Sequence, residues 1–283
     1  MNWHPARTRA RPILVYSAPR QSNSTQPGSH SVPDVQNILW TGGWDSTFQL
    51  VRSLVRETCE IQPFYLIDEN RPSTGMELLT MKRIKHKIRA DIPARAAALL
   101  PVRFIAVSDL LDDEKIAGAF ARIRKRTRIG IQYEWLGRFC RQFHVSDLQL
   151  CIHQDDLAHV ALQAVVENRG GRSYRVMPRF AGTDEHALFQ YYSFPVFDLT
   201  KRDMQAIAKD QGFESIMKLT WFCHAPKDGK PCGTCGPCRY TIAEGFGWRV
   251  PYFRRLKGTM VSNIRRLARE RLKTSPLWQA RST

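Results

Sequence analysis

The sequence predicts an α/β protein, a mostly parallel sheet with helices on both faces, followed by a cysteine loop and further helices. Two observations carry this. Short apolar runs at residues 36–41, 61–67, 102–107 and 148–152 are separated by stretches whose apolar residues recur at helical period. That alternation belongs to parallel strands joined by crossover helices. Beyond the last run, four cysteines crowd into residues 223–238, a Gly- and Pro-rich stretch without periodicity.

The elements follow in order. Residues 1–34 hold four arginines, no acid before Asp34 and many Ser, Pro, Gln and Asn, a composition expected to give a disordered basic leader. The first strand, 36–41, runs into Gly42-Gly43 and a helix from about Ser46, in which Phe48, Leu50, Val51, Leu54 and Val55 recur near helical spacing. Further helices are expected at 76–90, 109–124, 133–143 and 156–167, with a Gly-rich break at 168–173. The cluster Arg122, Arg124, Lys125, Arg126 and Arg128 reads as a solvated loop after a helix. Asp198-Leu199-Thr200-Lys201 opens another helix that ends at Gly212. From Pro251 onward, Phe253, Leu256, Met260, Ile264, Leu267 and Leu272 can share one side of a helix dense with arginine on the other. This divides the chain into a leader (1–34), a nucleotide-binding α/β domain (35–212), a zinc-binding segment (213–248) and a basic helical tail (249–283). No internal repeat is visible.

Composition narrows the class. With 283 residues and 43% hydrophobic content, the chain can bury a real core. No apolar run approaches the roughly 18 residues of a membrane span, and no signal-peptide core is visible, so a cytoplasmic protein is expected. Seven cysteines, an odd number, four of them at metal-ligand spacing, read as reduced thiols. The formal net charge of +17 suits RNA and suits a nucleotide enzyme equally. Ten Lys or Arg against one acid, Glu270, lie in 249–283, so the tail is a candidate surface for RNA, an acidic protein or an anionic membrane; a solvated helical face is the competing reading.

Thr41-Gly42-Gly43-Trp44-Asp45-Ser46-Thr47 sits between an apolar strand and a helix, where backbone N–H groups and the positive end of the helix dipole favour an anion. Glycine lets the backbone approach phosphate oxygens, Thr41, Ser46 and Thr47 offer hydroxyls, and Asp45 can take magnesium. An ordinary turn with Asp45 or Ser46 as helix cap is the alternative. The absence of a following Gly-Lys-Ser/Thr excludes a Walker A loop. Cys223, Cys232, Cys235 and Cys238 read C-x8-C-x2-C-x2-C, a closed four-thiolate set for a structural zinc, with an iron–sulfur cluster as the rival and His224 as a bystander.

TGGWDST resembles the SGGxDS signature of the PP-loop ATP pyrophosphatases, with Thr41 in place of serine. Together with the cysteine site it resembles 7-cyano-7-deazaguanine synthase over roughly residues 36–245. The resemblance implies an adenine nucleotide alpha hydrolase-like fold, ATP and magnesium as well as zinc, and a ligase reaction. In that reaction a substrate carboxylate attacks the α-phosphorus of ATP, pyrophosphate leaves, and ammonia or another amine gives an amide that a second ATP can dehydrate to a nitrile. It makes Asp45 and Ser46 catalytic, and Lys201 a phosphate ligand opposite Thr41–Thr47 in the motif Phe194-Pro195-Val196-Phe197-Asp198-Leu199-Thr200-Lys201. It places the base or ribose near Ile67 and Asp68, at the end of the second strand.

The middle of the chain departs from the family. Trp135-Leu136-Gly137-Arg138-Phe139 and His153-Gln154-Asp155-Asp156-Leu157 stand where the family carries its deazapurine motifs, Asp68 to Ser73 differs as well, and Thr241 replaces an expected arginine. The substrate is therefore expected to differ, with Arg138, His153, Asp155 and Asp156 as candidate contacts and helix capping by Asp155 or Asp156 as the alternative. A paralogue acting on another small carboxylate is the favoured expectation, and a homodimer suits such an enzyme. A PP-loop enzyme modifying an RNA base and a non-enzymatic zinc-ribbon module are the competing ones.

Overall fold

In the computed structural model, which describes residues 34–168 and 173–273, the first apolar run forms β1 (Val35–Leu39) and leads into α1 (Trp44–Arg56). Then come β2 (Glu60–Ile67), α2 (Thr74–Asp91), β3 (Arg103–Ala106), α3 (Glu114–Arg126), α4 (Gln132–Gln142) and β4 (Leu148–Gln149). Next are α5 (Leu157–Leu162), β5 (Val166–Asn168), β6 (Tyr174–Val176), α6 (Asp184–Phe189), β7 (Tyr192–Ser193) and α7 (Lys201–Asp210). The described chain closes with α8 (Glu214–Met217), α9 (Gly236–Thr241) and α10 (Tyr252–Lys273). The leader expected at 1–34 lies, save Asp34, outside the described residues.

Five strands form a parallel sheet in the order β3-β2-β1-β4-β7, with Leu39 opposite Phe64 and Ile38 opposite Gln149. Side chains alternate across a strand, so β2 feeds two cores. Ile61 and Tyr65 pack with Phe48, Val51, Ile84 and Met204 of α1, α2 and α7. Phe64 and Leu66 pack with Phe120, Leu136 and Phe139 of α3 and α4. Helices thus cover both faces, and each fully buried side chain such as Phe48 or Phe139 contributes about 1.5–3 kcal/mol. The strand order reverses between β1 and β4, which opens a crevice at the carboxyl ends of those strands.

Three expectations are corrected. The helix expected at 156–167 stops at Leu162, because Val165 and Val166 turn into the core and β5 pairs antiparallel with β6. Of the Gly-rich break expected at 168–173, residues 169–172 lie outside the described set. The helix expected from Asp109 starts at Glu114, where the Asp113 carboxylate accepts from the N–H groups of Lys115 and Ile116 at 3.0 and 3.1 Å. Arg122, Arg124, Lys125 and Arg126 belong to the last turns of α3, where Arg122 and Arg126 pair with Asp184 and Glu185, and only Arg128 lies beyond the helix. Among the described residues no helix is long and apolar enough to cross a membrane.

Candidate functional site

The chain leaves β1 through Trp40 and Thr41 and turns at Gly42, whose φ of 69° is left-handed. A Cβ there would also stand 3.1 Å from Met81 Cγ, so both conformation and space require glycine. Gly43 occupies the N-cap of α1 and no side chain caps the helix. The capping role considered for Asp45 or Ser46 is therefore not what the structure has, and the first N–H groups of α1 face outward. Ser46 stands behind the loop, its Oγ 3.4 Å from the Thr41 N–H. Thr47 turns the other way: its hydroxyl accepts from the buried Trp40 indole at 3.0 Å, so it supports the turn instead of facing an anion.

Two neighbouring groups on this turn are buried without hydrogen-bond partners, Trp44 Nε1 and Asp45 Oδ1. Orphaned buried polar atoms are rare, and a donor beside an acceptor at an uncapped helix N-terminus calls for a ligand. The closest basic group to Asp45 is His153 Nε2, at 3.9 Å. His153 is buried, and its Nδ1 accepts the Asp155 N–H at 3.2 Å, which assigns the neutral ring's proton to Nε2.

Lys201 reaches the crevice from the first turn of α7, a helix fixed by a reciprocal Thr200–Asp203 capping box. Its Nζ lies 2.9 and 3.1 Å from the two carboxylate oxygens of Glu244. Burial lowers the Lys201 pKa, but Asp45 and Glu244 outweigh it, so the net shift is upward and the ammonium persists. Asp156 caps α5 through the Ala158 N–H at 2.8 Å, which is the capping role considered for it. Burial raises its pKa, and that N–H, His153 and Lys201 offset the effect only in part.

These groups converge on a cavity of about 290 Å³. Its far wall carries Arg71 and Glu77: the Glu77 carboxylate accepts from Tyr65 OH at 2.9 Å and Ser73 Oγ at 2.6 Å and pairs with Arg71 Nε at 3.2 Å. Trp221 and Phe222 line the side next to the cysteine segment, and Arg249 enters there. A second chamber of about 610 Å³ shares His153, Asp156, Lys201, His224, Tyr240 and Glu244 with the first and extends to Arg124, Arg128 and Tyr133. The site is therefore a two-room cleft with Lys201 and Glu244 between the rooms. A larger recess of about 850 Å³ lies at the opposite end of the sheet, against the start of β1 and the C-terminal end of α1. A helix C-terminus repels anions, so the phosphate argument does not extend to it.

Of the residues singled out in the sequence, Thr41, Gly43, Trp44, Asp45, His153, Asp156 and Lys201 meet in the inner room, while Asp155 lines only the outer one. Ile67 and Asp68 do not line either; the Asp68 carboxylate accepts the Asn70 N–H at 3.0 Å and shapes the turn that presents Arg71. Arg138 is also elsewhere, its guanidinium bound to Glu134 and Asp112. Sequence reasoning reached Arg71 only as part of the Asp68–Ser73 segment and did not name Glu77, Trp221, Phe222, Tyr240, Glu244 or Arg249 as site residues. Only the fold brings them near the loop, and none stands in a readable motif.

The four thiols of Cys223, Cys232, Cys235 and Cys238 lie within 4.8 Å of one another and can hold a metal ion. The Cys232–Cys238 and Cys223–Cys235 sulfur separations are both 3.9 Å. Four bonds of about 2.3 Å to one tetrahedral centre give sulfur separations of about 3.8 Å. The N–H groups of Cys232 and Cys235 donate to sulfur at 3.2 and 3.3 Å, which favours thiolates. His224 turns away, its Nε2 2.7 Å from Arg71, and is a bystander to the thiols.

Residues 181–247 match the model of the family described as queuosine biosynthesis protein QueC. No curated protein matches the chain. A solved structure, the U34-tRNA thiolase NcsA from Methanococcus maripaludis with its 4Fe-4S cluster, is similar at 14% identity and TM-score 0.37, over 83% of this chain and 72% of that one. A likeness of that size carries no argument. Residues 181–247 are thus similar to that family, and within them four cysteines form a cluster able to hold a metal ion.

Proposed function

We propose that the protein is an ATP-dependent adenylating enzyme that releases pyrophosphate, with a carboxylate as nucleophile and ammonia or an amine completing an amide. The observation that carries this reading is the pair of orphaned groups, Trp44 Nε1 and Asp45 Oδ1, at the uncapped N-terminus of α1 opposite Lys201. ATP phosphates lie over the α1 N–H groups, with Lys201 balancing their charge. The unpartnered Asp45 Oδ1 would hold magnesium, which would supply charge neutralisation for the departing pyrophosphate. The substrate occupies the outer room, so that its carboxylate meets the α-phosphorus at the doorway of His153, Asp156 and Lys201. Residues 35–212 supply the loop, His153, Asp156 and Lys201, and the segment from Trp221 to Arg249 completes the inner room.

Zinc is the metal we assign to the cysteine cluster, because two of the sulfur separations match the edge of a single tetrahedral centre and all four sulfurs lie within 4.8 Å of one another. The four thiolates of an iron–sulfur cubane bind four different irons and stand farther apart. All four positions are filled by protein, so the metal's role is structural.

A second reading, adenylation of an RNA base, is favoured by one feature. Tyr240 is exposed at the mouth shared by both rooms, and Trp248, Tyr252 and Phe253 are exposed in the following segment, where the tail's arginines begin. Aromatic faces among cations suit single-stranded nucleic acid. The test is pyrophosphate release by purified protein with ATP, magnesium, ammonium and either a panel of carboxylates, including 7-carboxy-7-deazaguanine, or transfer RNA. Release with a carboxylate and its loss in Asp45→Ala is the expected result; release with RNA alone selects the second reading. Absence of both ATP binding and release rejects adenylation.

A further inference from the structure

Three cations line the inner room, and two of them are already paired: Arg71 with Glu77 and Lys201 with Glu244. Arg249 has no carboxylate ion pair among the described residues. Its two hydrogen bonds, of 2.5 and 2.7 Å, both run from one terminal nitrogen, to the carbonyl and hydroxyl oxygens of Thr220. The guanidinium carbon lies 5.1 Å from the Trp44 ring centroid and 4.7 Å from that of Phe222. Arg249 is thus held by ring faces and one threonine, with the other edge of its planar fork left for a ligand.

Burial lowers the Arg249 pKa to about 10, and Asp45 and Glu244, which pull it back up, do not restore it. A cation kept from water without a carboxylate is costly unless an anion joins it. That anion must fit beside Trp44, whose unpartnered Nε1 belongs to the same wall. Trp44 is in turn fixed by Phe246, 5.0 Å away between ring centroids.

We infer that Arg249 binds the pyrophosphate portion of the nucleotide, from its position against the Trp44 and Phe222 rings. The inference rests on the adenylation reading and adds to it a residue outside the loop, brought in by the segment after the cysteine cluster. In the transfer step a bond forms between the carboxylate oxygen and the α-phosphorus, and the bond from that phosphorus to the bridging oxygen breaks. The electron pair stays on pyrophosphate, no proton moves, and the guanidinium shares the new charge with Lys201. A planar fork suits two phosphate oxygens better than an ammonium does.

Calorimetric titration of the full chain with inorganic pyrophosphate and magnesium, and separately with AMP, tests this on wild type, Arg249→Met and Arg249→Lys. Thermal melting and metal content verify folding. Arg249→Met should weaken pyrophosphate binding roughly 10- to 100-fold while AMP affinity stays within about twofold, with Arg249→Lys in between. Wild-type binding that Arg249→Met leaves unchanged overturns the inference and spares the adenylation reading. Equal weakening of both ligands also overturns it, since that is a general distortion of the pocket. Wild type that binds neither pyrophosphate nor AMP overturns the inference together with the reading beneath it. If Arg249→Met does not fold, Arg249→Lys decides, because pyrophosphate affinity equal to wild type contradicts a fork-shaped contact.

Discussion

The Lys201 ammonium rests between both carboxylate oxygens of Glu244, at 3.1 and 2.9 Å, at the doorway between the two rooms of the cleft. In the adenylation reading Lys201→Met removes charge that the departing pyrophosphate needs, so kcat/KM for pyrophosphate release should fall about 100-fold or more. The same pair has a pH signature. The folded-state Lys201 pKa is raised, so the folded protein holds this proton more tightly than the unfolded chain. The resulting stability is complete below the unfolded value, about 10.4, and is lost as pH rises through the folded one. Urea unfolding of wild type and Lys201→Met at pH 8 and pH 11 checks this, and the difference should shrink at the higher pH.

Asp156 gives the opposite kind of test. Burial raises its pKa in the folded state, so the folded protein favours the protonated carboxyl and the ionised form at neutral pH costs stability. Asp156→Asn removes the charge and keeps a good N-cap for α5, so its melting temperature at pH 7 should exceed wild type. The gain should vanish below about pH 4, where the unfolded carboxyl is protonated as well. Asp156→Ala also loses the cap and should fall below the asparagine variant by about 1 kcal/mol.

Thr47 separates support from ligand binding within one short motif. Its hydroxyl accepts from the fully buried Trp40 indole, so Thr47→Val strands that donor. The expected cost is about 1–3 kcal/mol in denaturant unfolding. ATP affinity should stay within about twofold, whereas Ser46→Ala should weaken it, and titration calorimetry distinguishes the two.

What the sequence made legible was whatever depends on near neighbours. The strands at β1, β2 and β3 announced themselves by continuous apolar runs, the candidate phosphate turn by Gly42 and Gly43, the cysteine cluster by the spacing of Cys223 to Cys238, and α7 by Asp198-Leu199-Thr200-Lys201. Strand β7 was missed because two residues, Tyr192 and Ser193, carry no period. Helix α5 was overextended because Val165 and Val166 suit a helix pattern as well as a strand, and only the pairing with β6 decides. The site shows the same division. Trp44, Asp45 and Lys201 stand in motifs, whereas Arg71 and Glu244 enter through turns whose direction tertiary packing sets. Arg138 misled because a sequence does not display its partners Glu134 and Asp112.

The cysteine loop also carries α10, which makes metal removal a test of architecture as well as of ligation. Arg254 in the first turn of α10 donates to the carbonyls of Lys227, Lys230 and Pro231 at 2.8, 3.2 and 3.3 Å and pairs with Asp228 at 3.0 Å. Gly258 packs so closely on the Gly233 carbonyl that a Cβ would collide with it, and a Cβ on Gly233, at φ 80°, would strike the Arg254 carbonyl. The loop between Cys223 and Cys232 has little regular structure beyond a Lys227–Lys230 bridge, so a metal at the four thiols would hold the surface on which α10 rests. Wild type should contain one zinc per chain by elemental analysis, and Cys235→Ser much less. The variant should melt about 10 °C lower, the shift expected for a loss of roughly 3–5 kcal/mol in a domain of this size. Trypsin should then cut at Arg254 and Arg255, which the intact loop protects. Gly258→Val should expose the same bonds while zinc content stays at one per chain, because it lifts the helix without touching the thiolates. Protection that survives metal loss would show that α10 does not depend on the loop.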